Sequence, residues 1–155
     1  MAELPLPQDG RNFWMLPQGP EDGGYYNYGY PINGRAQYCD TRLMNVILMV
    51  GFKWAEMDER RFGAGNTSLP NGESFPPHSG HQNGLQVDVR ALRKDGKNLP
   101  VNYKDNNYDR DGTARLINCF FDTGLVSIVY FNDLQIARVR HLPKHDDHFH
   151  VEVRK

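Results

Sequence analysis

All six histidines of this chain fall in two short windows. His78 and His81 lie in PPHSGHQNGLQVDV, and His141, His145, His148 and His150 lie in HLPKHDDHFHVEV. Histidine is the commonest metal ligand and general base near neutral pH, and such clustering marks a metal or catalytic site. In the first window His81 sits in a Gly-bearing loop, and Asp88 follows inside the alternating stretch GLQVDVRAL. Strand alternation sends Leu85, Val87 and Val89 one way and Gln86, Asp88 and Arg90 the other. Gly80 and Gly84 let the backbone bend, so that a loop histidine and a strand carboxylate converge. In the second window alternation puts His148, His150 and Glu152 on one face and Phe149, Val151 and Val153 on the other. Two imidazoles on one strand face can share a metal, or one binds it while the other touches its water. Buried without partners, both would be costly.

Three protein ligands of mixed His and Asp type, with one position open, are the donor set of catalytic rather than structural zinc. Such an ion polarises a scissile carbonyl, and a remaining imidazole can handle the proton. The blander readings are plain. An isolated H-x-H caps a strand or decorates a surface, and an isolated H-x6-D means less still. Their joint occurrence on polar strand faces, with no histidine elsewhere, tips the balance to a metal. A structural zinc site would close its fourth position with cysteine, yet Cys39 and Cys119 lie far from both motifs in sequence. Those two cysteines fit no metal pattern and are too few for a disulfide scaffold. They are either one bridge or two buried thiols.

The elements that must carry these residues are legible in outline. At 155 residues the chain suits one domain with a real core. Its 39% hydrophobic and 24% charged content is globular, and a net charge of -1 provides neither a footprint for nucleic acid nor a pull toward an anionic membrane. No apolar run reaches the roughly 18 residues that would span a bilayer. Residues 1–37, rich in Pro, Gly and Tyr, show no sustained periodicity and read as an irregular N-terminal wrap pinned by Trp14, Tyr25, Tyr26, Tyr28 and Tyr30. Asp40 is an N-cap for a buried helix through TRLMNVILMVGFKWAEM. A strand is expected near Arg61 to Gly65, another in GLQVDVRAL, a helix from about Thr113 to Thr123 stopped by Gly124, a strand at VSIVYF and a last one at HFHVEV. Together they predict an α+β fold, a single domain over 1–155 with a small antiparallel sheet flanked by helices.

The segments GNTSLPNGESFPPHSGHQNGLQVDV and KHDDHFHVEV resemble the penicillin-insensitive murein endopeptidases, within the broader group of metallopeptidases that holds lysostaphin-type enzymes and D-Ala-D-Ala peptidases. The shared pattern is H-x6-D, then H-x-H, with the flanking S-L-P and F-P-P-H-x-x-H-Q-x-G. The match covers roughly residues 62–90 and 141–154; residues 1–37 do not align. The resemblance implies a hedgehog/D-Ala-D-Ala-peptidase-like fold, with His81, Asp88 and His150 as Zn2+ ligands and His148 as the base or transition-state hydrogen-bond donor. His78 falls on a family histidine beside the site, as an extra ligand or a substrate contact. Asp147 occupies the spacing at which some relatives carry an acidic general base. Alternation would turn it away from His150 unless the strand starts only at His148, so His148 is the favoured catalytic group, with Asp147 orienting it. Asp146, His141 and His145 read as loop or rim residues. Arg90, on the Asp88 face, is either a receptor for a substrate carboxylate or a solvated arginine.

The implied activity is hydrolysis of the D-alanine to meso-diaminopimelate amide in peptidoglycan cross-link peptides. A related L-Ala-D-Glu endopeptidase, a D,D-carboxypeptidase and a non-catalytic zinc- or wall-binding module are the alternatives. The sequence opens on Met without a basic, then apolar, leader, whereas typical family members carry a Sec signal. The expectation is therefore action in the periplasm after signal-independent delivery, as a phage-type lysis enzyme or a type VI-like antibacterial effector. An effector would need a cognate immunity protein. A monomer is expected.

Overall fold

The chain alternation that aims Asp88 and His150 is realised in the middle of a five-stranded sheet. The computed structural model describes residues 6–31, 33–76 and 80–155. Its elements run β1 (Trp14–Met15), β2 (Tyr25–Asn27), β3 (Tyr38–Cys39), α1 (Thr41–Met57), β4 (Phe62–Ala64), β5 (Gln86–Arg90), α2 (Arg110–Asp122), β6 (Val126–Tyr130) and β7 (His148–Val153). The main sheet has the order β2-β4-β5-β7-β6, and β1 and β3 form a separate antiparallel ribbon. The architecture is α+β with two helices, as expected. The main sheet, however, is mixed rather than wholly antiparallel, because β2 pairs parallel to β4. Three residues, Tyr25 to Asn27, are too short a run to show a period of two, and their partner is set by the long-range fold.

Both helices cover the apolar face of this sheet. α1 starts where Asp40 accepts a hydrogen bond from the Arg42 amide, an N-cap that satisfies one orphan donor. It buries Leu43, Val46, Ile47, Val50 and Trp54, while Met49 and Phe52 on its other side are exposed. α2 begins at Arg110, three residues before its expected start, because Asp109 is the cap and accepts from the Gly112 amide. Leu116, Ile117 and Phe120 from α2 meet Val87, Val89, Phe149 and Val151 from β5 and β7 in one core cluster. Cys39 and Cys119 are both buried free thiols. Among the described residues, no helix is long and apolar enough to cross a membrane.

Phe149 is the core anchor of the strand that carries both H-x-H histidines. It is fully buried, and its ring lies 5.9 Å from Phe120 and 6.2 Å from Phe131, edge-on to each. Phe149→Ala should cost about 3–5 kcal/mol, read as a drop in thermal midpoint. A loss under about 1 kcal/mol would mean that β7 is held by its hydrogen bonds alone.

Candidate metal centre

The face of the sheet opposite the helices carries Gln86, Asp88 and Arg90 from β5 and His148, His150 and Glu152 from β7. The antiparallel register sets Asp88 across from His150 and Arg90 across from His148. β6 adds Tyr130 opposite His150. Asp88 is a central-strand carboxylate, and the β4 extension closes over it. The Gly65 amide donates to the Asp88 carbonyl at 2.7 Å, and the Asp88 amide donates to the Asn66 carbonyl at 3.2 Å.

His81 reaches the same point from its loop. Its backbone is left-handed, φ 59°, which costs a side-chain-bearing residue roughly 1–2 kcal/mol. Strain of this kind gathers at functional sites. Several contacts hold it there. The His81 amide donates to Gln86 Oε1 at 3.1 Å. Next to it, Arg11 Nη1 donates to the Gln82 carbonyl at 2.6 Å, and Arg11 is itself clamped by the buried Asp9 carboxylate. Gly84 sits at φ 69°, and a Cβ there would stand 2.7 Å from the Phe13 ring and 2.9 Å from the Asp40 amide nitrogen. The N-terminal segment therefore packs directly against the loop that bears His81.

Ring orientation follows from which atoms are already engaged. His81 Nδ1 lies 3.2 Å from the Thr67 carbonyl. A carbonyl only accepts, so Nδ1 carries the proton, and Nε2 is left facing Asp88 Oδ2 at 3.2 Å. His150 is turned the other way. Its Nδ1 is hydrogen-bonded with Asp88 Oδ1 at 3.1 Å, and its Nε2 lies 3.3 Å from Glu152 Oε1. These two nitrogens, His81 Nε2 and His150 Nδ1, are the ring atoms that would turn lone pairs toward a cation at Asp88, since each ring's other nitrogen faces an acceptor of its own. His81, Asp88 and His150 are all buried, and their ligand atoms lie within 4.8 Å of one another. Two imidazoles, each with its far nitrogen facing an acceptor, and one carboxylate between them can hold a metal ion. Burial alone would raise the Asp88 carboxyl, but hydrogen bonds from His150 and His81 outweigh it and hold it well below the usual carboxylate range.

His148 stands at the edge of this cluster. The strand starts at His148, which leaves Asp147 free to turn back to it, and Asp147 Oδ1 accepts from His148 Nδ1 at 2.7 Å. His148 Nε2 then faces Asp88 Oδ1 at 3.8 Å. Burial works against a charged His148, yet the carboxylates of Asp147 and Asp88 prevail and push its pKa up. Asp147 is lowered in turn, chiefly by the same hydrogen bond.

One residue read as rim from sequence belongs to the site. His145 packs 4.8 Å from His148 and 5.8 Å from His150, ring to ring, and Asp88, His145 and His148 form a second group of converging ligand atoms. Its Nδ1 donates to the Pro143 carbonyl at 2.9 Å, which frees Nε2. Burial lowers its pKa. A left-handed turn at Lys144, φ 69°, swings it inward, and no strand pattern reports such a turn. Its only signal is membership of the histidine window. His141 is exposed, and His78 falls outside the described residues.

Glu152 fixes His150 from behind, and outer partners of this kind sharpen metal affinity. Glu152→Ala should weaken metal binding about 10- to 100-fold in competition with a chromogenic chelator. Unchanged affinity would remove Glu152 from the site. No protein-family model matches this chain, and no curated protein matches it.

Proposed function

We propose that this chain is a zinc-dependent peptidase of the penicillin-insensitive murein endopeptidase type, which hydrolyses the D-alanine to meso-diaminopimelate amide in cross-linked peptidoglycan. The observation that carries the catalytic part is the buried convergence of His81, Asp88 and His150 with an oriented imidazole, His148, at its edge. Zinc is the metal favoured by two nitrogens, one carboxylate oxygen and an open position. When bound, it supplies Lewis acidity toward a carbonyl and makes water acidic enough to react near pH 7.

The residues of the chain do the rest. Hydrolysis places the oxygen of water on the acyl carbon and returns a proton to the departing nitrogen. His148 Nε2 is the atom positioned to hold that proton, because Asp147 occupies Nδ1 and fixes the ring plane. Asp147 orients the His148 ring through Oδ1. His145 flanks the same imidazole and narrows the approach to it.

The choice of a wall cross-link rests on the resemblance of GNTSLPNGESFPPHSGHQNGLQVDV and KHDDHFHVEV to the murein endopeptidases. An isolated cross-linked muropeptide dimer tests the reading. Protein stripped with chelator should leave the dimer intact, and restored zinc should convert it to monomers. Equal cleavage by the stripped protein would refute a metal-dependent mechanism.

A further inference from the structure

Arg90 lies on the site face, across the β5–β7 pair from His148, and its surroundings hold the guanidinium in place. Tyr26 and Tyr28 lie on that face over β4, where glycine leaves them room. A Cβ at Gly65 would stand 2.5 Å from Tyr28 Cζ, and one at Gly63 2.8 Å from Tyr26 Cζ. The guanidinium carbon of Arg90 stacks 4.0 Å from the Tyr28 ring centroid and 5.9 Å from that of Tyr26, which fixes the plane of its fork. One N–H goes to the Asn98 carbonyl at 3.3 Å. Among the described residues Arg90 forms no ion pair, whereas its neighbours Arg60 and Arg93 are each bonded to aspartates. Arg90 also shares a basic cleft with Arg93 and Lys97. A stacked fork that is held in no ion pair among the described residues is placed to take a carboxylate in bidentate fashion.

We propose that Arg90 binds a free carboxylate carried on the carbon that bears the scissile nitrogen. This inference rests on the peptidase reading and specifies its substrate class. In a D-alanine to meso-diaminopimelate bond that carbon carries the unlinked carboxylate of diaminopimelate. A D-Ala-D-Ala terminus and an L-Ala-D-Glu bond whose glutamate is joined onward through its side chain share the feature. An ordinary polypeptide does not, because the carboxyl there is tied into the next, neutral amide. Two residues along a strand span about 7 Å, so an amide beside Asp88 and its adjacent carboxylate can be engaged together. Arg90 is on this account a specificity residue, and its effect lies in binding and orientation.

The test uses two muropeptide dimers, identical except that the carboxylate beside the scissile nitrogen is a carboxamide in one. The zinc-loaded protein should cleave the carboxylate form about 10- to 100-fold faster in kcat/KM, the range set by a hydrogen-bonded charged pair. Arg90→Gln should bring the two rates together, and Arg90→Lys should restore part of the gap. Titration with diaminopimelate and its amide, followed at the Arg90 Nε resonance, reads the same preference without turnover. Cleavage of both dimers with no preference, or a preference that survives in Arg90→Gln, overturns the receptor and leaves the peptidase standing. No cleavage, with carboxylate-selective binding lost in Arg90→Gln, overturns the peptidase and leaves the receptor. No cleavage and no selective binding overturns both.

Discussion

A His150→Ala protein is expected to purify without stoichiometric zinc and to leave cross-linked wall peptides intact. His150 supplies one of three converging ligand atoms, with its Nδ1 3.1 Å from Asp88 Oδ1 and its far nitrogen held by Glu152. Removing it leaves Asp88 and His81 unable to complete the set. The loss of affinity should exceed the roughly 10- to 100-fold that follows loss of an outer partner. Metal content by mass spectrometry, after dialysis against buffered zinc, reads the effect directly. Melting in chelator separates it from misfolding, because the apo forms of both proteins should unfold at similar temperatures, and only the wild type should gain stability from zinc. Full zinc occupancy in His150→Ala would mean that the metal sits elsewhere, most plainly among Asp88, His145 and His148.

His148→Ala should behave differently. Zinc is expected to remain bound at wild-type stoichiometry, while kcat falls about 100- to 10,000-fold, the usual contribution of a positioned proton carrier. The distinction comes from geometry. His148 lies 3.8 Å from Asp88, is more exposed than the three proposed ligands and spends Nδ1 on Asp147. Asp147→Asn keeps the shape but weakens the hold on the ring, so its loss in kcat should be smaller than that of His148→Ala. A larger loss in Asp147→Asn would reverse the two roles and make the carboxylate the base. Loss of zinc in His148→Ala would make His148 a ligand.

Much of this site is written locally. Alternation in GLQVDVRAL and HFHVEV is enough to put Asp88, His148 and His150 on polar faces, because side-chain period along a strand is set by backbone geometry. What no local pattern holds is the register that sets Asp88 opposite His150, since it joins strands far apart in the chain. The same limit hides β2, whose three residues pair in parallel with β4 and place Tyr26 and Tyr28 beside Arg90. Residues acting through loop conformation are hidden for a different reason. His145 enters by a left-handed turn at Lys144, and Thr67 fixes His81 through a main-chain carbonyl that any residue would carry. The start of α2 was displaced because Gly112 and the charged Arg110 and Asp111 dilute the apolar signal of its first turn.

The central claim is that the zinc site formed by His81, Asp88 and His150 opens wall cross-links. Its most direct test is digestion of purified meso-diaminopimelate peptidoglycan by the zinc-loaded protein, with mass spectrometry of the released fragments and His150→Ala in parallel. Cross-linked dimers should give way to monomers, with new ends at D-alanine and diaminopimelate, and the His150→Ala digest should match buffer alone. Dimers left unchanged by wild-type protein carrying one bound zinc would contradict the claim.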